Sequence, residues 1–268
     1  MLWMSLMGCF LIQINPVAPE PEPSGPMPTA TVPTGSTGSP TLPPTGDTGD
    51  TTTLTGDTGD PPVSQFDLLF VIDNSCSMGD DQEDLASVGP GFLQQLASVD
   101  FHIGVVTTDL ANAQQAGRLV DSSGVRVLDA TTPYPDQVFT GLIRQGVAGS
   151  GTESGIGAAY LTEFVNQGLP ENAGFRRKGA ELHLIFVSDE DDQTPTSVVS
   201  LSEAVQAFGG LTPDVHVHAL VGIAPTTTVE EGQRYLDLNA QLGGATADIS
   251  DGSFDLFLDA VVQEILTP

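Results

Sequence analysis

The chain has 268 residues, 35 of them acidic and 7 basic, for a formal net charge of −28. A field of that sign repels nucleic acid and anionic membrane surfaces and attracts cations, which excludes nucleic acid as a partner. The only cysteines, Cys9 and Cys76, flank a long Pro/Thr/Gly-rich stretch, so a structural disulfide between them is not expected.

Met1 to Ile14 is apolar apart from Ser5 and Gln13, and is too short to span a bilayer. Within it, Leu6-Met7-Gly8-Cys9 resembles a bacterial lipobox. The resemblance implies an exported protein of the bacterial cell envelope, with residues 1–8 as a lipoprotein signal peptide. Cys9 would carry the lipid and be the sole membrane attachment. No Lys or Arg precedes Cys9, which departs from an ordinary signal peptide. Residues 9–64 read as a disordered tether, because Pro, Thr, Gly, Ser and Asp dominate and little apolar surface is there to bury. The hexapeptide Thr45 to Asp50 recurs as Thr55 to Asp60, without the apolar positions that stack a calcium-binding repeat.

Residues 65–268 suit one α/β domain. The apolar run Leu68 to Ile72 sits in a predicted strand, Phe66 to Asp73, buried on both faces. A helix is expected from about Asp80 to Val99, interrupted or kinked at Gly89-Pro90-Gly91. A second strand covers Phe101 to Asp109. Arg118 to Val120 and Val125 to Leu128, around a Gly-containing turn, predict an edge hairpin. The stretch 130–151 reads as loop, and a helix over about Glu153 to Asn166 buries Ile156, Tyr160 and Phe164. Strand Leu182 to Ser188, helix Val198 to Phe208, strand Val215 to Val221, helix Glu230 to Leu242, a short strand Thr246 to Ile249 and a final helix from Phe254 complete the order. This alternation predicts a doubly wound, mainly parallel six-stranded sheet with an antiparallel edge strand and helices on both faces.

Three strand ends or helix starts carry oxygen-rich motifs. Asp73-x-Ser75-x-Ser77 follows the first strand. Thr152 lies in the Gly-rich run Gly149 to Gly155 before a helix, where an N-cap is the simpler role. Asp189 ends the strand that finishes Phe186-Val187-Ser188. In this order the motifs resemble the metal-ion-dependent adhesion site of von Willebrand factor A domains, integrin I domains included. Ile103 to Asp109, Phe175-Arg176-Arg177 and Val187 to Asp192 also look like a bacterial secreted branch of that family.

The resemblance implies one divalent cation, with Mg²⁺ first and Mn²⁺ or Ca²⁺ as alternatives, held by Asp73, Ser75, Ser77, Thr152 and Asp189. It also implies a protein partner whose Glu or Asp carboxylate completes the ion. All-oxygen donors suit a hard cation. Two carboxylates neutralise the ion without over-neutralising it. Asp80 and Asp81 match the offset at which integrin β subunits hold a second calcium. Otherwise they are acidic residues favouring the dipole of a helix start. Cys76 occupies a position the family leaves free. His216 and His218, two apart on one strand face with no cysteine near, read as core or surface histidines rather than zinc ligands.

The expected function is therefore a surface-tethered adhesion-type binding module and not an enzyme. One alternative is a metal-dependent hydrolase or phosphatase, but Ser75 stands where an aspartyl nucleophile motif would place a second Asp. Another is a structural envelope component whose loops a metal holds.

Overall fold

The structure is a computed structural model that describes residues 64–226 and 229–267. The leader, Cys9 and the tether through residue 63 lie outside the described residues.

Six strands form one sheet: β1 (Gln65–Ile72), β2 (Asp100–Thr107), β3 (Leu128–Asp129), β4 (Glu181–Ser188), β5 (Val215–Val221) and β6 (Thr246–Asp248), in the order β3-β2-β1-β4-β5-β6. All neighbours are parallel except β3, which pairs antiparallel with β2. The expected doubly wound sheet with an antiparallel edge is therefore present. The alternating side chains of β1 go to opposite cores. Phe66, Leu68, Phe70 and Ile72 pack with residues of α1 (Gly79–Gln95), α2 (Pro135–Ile143) and α6 (Phe254–Leu266). Leu69 and Val71 pack with those of α3 (Gly155–Tyr160), α4 (Leu201–Gly209) and α5 (Gln233–Leu242). Burial on both faces is why β1 is an unbroken apolar run. Chain connections leave β1 for β2 on one side and return to β4 on the other. The crevice between the ends of β1 and β4 is thus the topological switch point, where such sheets bind ligands. Among the described residues no helix is long and apolar enough to cross a membrane.

Four local expectations need correction. Helix α1 runs through Pro90 without interruption. Its buried face, including Leu85, Ala86, Gly89, Phe92 and Leu93, holds it against the sheet, and this packing outweighs the one backbone bond that proline cannot make. The stretch 130–151 contains α2, with Pro135 in its first turn and Val138, Phe139, Leu142 and Ile143 buried on one face. The edge hairpin reduces to a single bridge, Ser122 to Val125, across Ser123 (φ 55°) and Gly124 (φ 87°). The third strand is only Leu128–Asp129. Finally, α3 widens into a π-helical turn over Leu161–Val165, in which Asn166 N–H reaches back five residues to Leu161 O (2.7 Å). That extra residue rotates the face, so Thr162 and Glu163 are buried while Phe164 is exposed.

Candidate functional site

The loop after β1 is pinned by its own acid. Asp73 is fully buried, and its N–H donates to Val187 O on β4 (3.0 Å). Its Oδ1 accepts from Ser75 N–H (2.7 Å) and its Oδ2 from the Ser188 hydroxyl (2.6 Å). This turn aims Ser75 and Ser77 across the crevice. Their hydroxyl oxygens are hydrogen-bonded at 3.1 Å, and the Ser77 hydroxyl donates to Asp189 Oδ1 at 3.1 Å. Four of the five residues expected from the sequence thus form one continuous hydrogen-bonded chain across the ends of β1 and β4. Cys76 lies exposed between the two serines.

Gln82 of α1 braces this loop against the Gly-rich one. Its amide nitrogen donates to Asp73 O (2.8 Å) and Gly146 O (2.9 Å), and its oxygen accepts from Gly146 N–H (3.0 Å). Gly149 N–H donates to Asn74 O (2.8 Å), at a spot where a Cβ would lie 2.3 Å from Asn74 Oδ1. Only glycine allows that approach, which sets the path of the following residues.

That path separates Thr152 from the set. Thr152 is exposed, its N–H donates to Ser150 Oγ (3.1 Å), and its hydroxyl takes no part in the bonds joining the other four. Nor is it an N-cap. Helix α3 begins at Gly155 with Ser154 at the cap position and no side-chain capping bond. Its first N–H groups are met from the loop after β4: Asp192 Oδ1 accepts from Ile156 (2.9 Å) and Thr194 Oγ1 from Gly157 (2.8 Å).

The next residue, Glu153, points inward instead. It is fully buried, and its Oε2 accepts from the Thr108 hydroxyl. Thr108 in turn donates its N–H to Ile72 O (3.1 Å), so it stands beside the start of the Asp73 loop. A side-chain hydrogen bond also links the Glu153 carboxyl to Asp73. Burial, and then the charge of Asp73, push the Glu153 carboxyl up to about 9. Sequence reasoning missed this residue. Its only signal was adjacency to Thr152, and which of two neighbours faces inward depends on loop geometry.

The remaining acids show the same crowding. Burial, with the charges of Asp73 and Asp81 and against the Ser77 bond, raises Asp189 to about 6. Burial and the charges of Asp73, Asp189 and Glu230 raise Glu190 to about 7. Asp81 is raised by burial, then by Asp84 and Asp80. Asp80 and Asp81 occupy the first turn of α1, where they suit the helix dipole, and neither joins the hydrogen-bonded set.

Carboxyls that resist ionisation side by side, with hydroxyl oxygens between them, are a donor set that a hard divalent cation fits. Among the described residues, no three His, Cys, Asp or Glu side chains are already gathered tightly enough to hold a metal on their own. Asp73, Ser75, Ser77 and Asp189 are the residues that would hold such an ion.

Fold and site together define a doubly wound α/β domain with an acidic, hydroxyl-rich site at its switch point. No protein-family profile and no curated protein sequence matches the chain. Solved structures do. Pilus adhesin SpaC from Lactobacillus rhamnosus GG, in its open conformation, superposes with a TM-score of 0.51 at 12% identity, over 77% of this chain and 30% of that one. Another crystal structure of SpaC gives 0.50 at 13% identity, over 76% and 31%. Proximal thread matrix protein 1 of the mussel byssus gives 0.42 at 13% identity over 74% and 47%, a score too low to compare folds. At such identities the likeness concerns the fold alone, and the chain spans under a third of the SpaC chains it matches.

Proposed function

We propose that this chain is a surface-displayed, divalent-metal-dependent binding module of the von Willebrand factor A type, tethered to the bacterial envelope through a lipid on Cys9. One observation carries the reading. Asp73, Ser75, Ser77 and Asp189, drawn from two separated motifs, meet in one hydrogen-bonded chain at the switch point. A cation bound there would offer an open coordination position to an oxygen of a protein partner, a Glu or Asp carboxylate in this reading. Mg²⁺ is the first choice of ion, with Mn²⁺ and Ca²⁺ next. The fold shared with part of a pilus adhesin supports an adhesive role.

The hydrolase alternative needs a cationic clamp for its substrate. Arg176 and Arg177 are engaged with Asp67, Glu163 and Asp100 toward the amino ends of the strands, away from Asp73 and Asp189. Arg234 is paired with Asp192. This disposition favours binding over phosphoryl chemistry.

The experiment is adhesion of beads carrying the full chain to bacterial surfaces, in Mg²⁺ or in excess chelator. Capture in Mg²⁺ that chelator abolishes and added Mg²⁺ restores is the expected result. Capture that persists in chelator overturns the metal-dependent reading.

A further inference from the structure

The two edges of the sheet end differently. At β3, Asp129 N–H donates to Thr132 Oγ1 (3.0 Å) and Asp129 O accepts from Thr132 N–H (3.1 Å), so the turn closes its own edge. At β6 the ladder fixes which groups face out. Val217 N–H donates to Gly243 O (2.7 Å) and Ala219 N–H to Ala245 O (3.0 Å), so these alternate residues turn toward β5. Gly244, Thr246 and Asp248 turn away. Asn239 Nδ2 donates to Gly244 O (3.0 Å), and Asp248 O starts the 3-10 turn over Ile249–Asp251. Thr246, which is exposed, presents its N–H and carbonyl outward, and Asp248 presents its N–H. Among the described residues no hydrogen bond takes these three groups.

An edge with unpaired backbone groups is a template for another strand. Charge selects which strand. From Tyr235 to Thr267 the chain carries Asp237, Asp248, Asp251, Asp255, Asp259 and Glu264, and no Lys or Arg. A second copy would bring the same acids and its own net charge of −28 to the junction, so like charges oppose the pairing of two such edges.

We propose that β6 is a docking edge for an extended, Lys- or Arg-rich segment of a partner protein, which adds to the sheet as a further strand. Main-chain bonds to Thr246 and Asp248 hold it, and its basic side chains meet the acids on either side of β6. This edge acts independently of any cation at the switch point.

Fluorescence anisotropy of a short labelled peptide of alternating lysine and valine tests this on the full chain, wild type and Thr246→Pro. Proline suits this position, because the N–H it removes faces out of the sheet, and edge strands accept proline there. The expected result is saturable binding by wild type, weakened at least about tenfold in Thr246→Pro. The same peptide with every backbone nitrogen methylated, which keeps its charge and loses its donors, should bind as weakly. Equal binding of the methylated peptide, or equal binding by a Thr246→Pro chain that circular dichroism shows to be folded, means that charge alone attracts the peptide and overturns the proposal. So does the absence of saturable binding by wild type. Should Thr246→Pro not fold, hydrogen exchange on wild type decides. The amides of Thr246 and Asp248 should exchange fast in the free chain and slowly with the peptide bound. Slow exchange in the free chain, or no slowing with the peptide, overturns the proposal.

Discussion

Asp73 has both carboxylate oxygens committed to its own chain, one to Ser75 N–H and one to Ser188. Buried acids of this kind depend on each such bond. Ser188→Ala leaves one oxygen of a buried carboxylate without its donor, and should cost about 1–3 kcal/mol in urea unfolding. An unchanged midpoint would show that water serves Asp73 as well as Ser188 does. At this scale the sequence was readable where a residue's position follows from a strand end. Asp73 and Asp189 fall beside each other because the register of β1 and β4 pairs Ile72 with Val187. Ser75 and Ser77 follow from alternation in a tight turn. Glu153 was not readable. The inward choice between Thr152 and Glu153 is made by Gly149 against Asn74 and by the Thr108 bond, and these contacts join residues far apart in sequence.

Between elements, close packing decides what propensity leaves open. Two glycines of α1 illustrate it. A Cβ on Gly89 would lie 2.4 Å from the Phe139 ring, whereas one on Gly91 would meet nothing within 4 Å. Gly89→Ala should therefore destabilise by about 1–3 kcal/mol through overpacking. Gly91→Ala should stabilise by about 0.5–1 kcal/mol, since alanine is the better helix former. Urea denaturation of both variants checks the pair, and equal effects would contradict the placement of α2 on α1. The long parallel strands and α6 were legible, because continuous apolar runs and spacings of three and four leave little choice. Helix α2 was hidden by Pro133, Pro135 and Gly141, which read as loop when taken singly. Its apolar face, Val138, Phe139, Leu142 and Ile143, becomes clear only once a partner surface is known. The π-helical turn after α3 was invisible for the same reason. A four-residue repeat in Ile156, Tyr160 and Phe164 says nothing of an inserted residue.

Across the whole molecule, two kinds of buried acid–base group oppose each other in pH. His218 Nδ1 accepts from Ala245 N–H (2.9 Å), so its proton sits on Nε2 and is donated to His183 Nδ1 (2.9 Å). His216 is bonded to Glu264 Oε1 (2.8 Å) and stacks on His183. Burial lowers His183 to about 2 and His218 to about 3, from 6.5 in the unfolded chain. Below that unfolded value the unfolded state takes up protons that the folded state refuses, so stability falls as pH drops from about 6.5 toward 3, by about 1.4 kcal/mol per pH unit for each group. Glu163 works the other way. Burial, opposed by Arg176, raises it to about 7, so its contribution is lost as pH rises through that value. Replacing His218 by Gln isolates one term. The fall in unfolding free energy between pH 6 and pH 4 should be shallower by about 1.4 kcal/mol per pH unit. An unchanged slope would show that His218 is not held neutral.

In the proposed reading the crowded acids at the switch point take a divalent cation, and the four bonded residues would supply its oxygens. The most direct test is calorimetric titration of the full chain with Mg²⁺, Mn²⁺ and Ca²⁺, repeated on Asp73→Asn. That change removes one negative charge at nearly constant shape. Saturable binding of one ion per chain by wild type, lost in Asp73→Asn while the urea midpoint shows the domain still folded, is the predicted result. No saturable binding by wild type, or binding unchanged in Asp73→Asn, would contradict it.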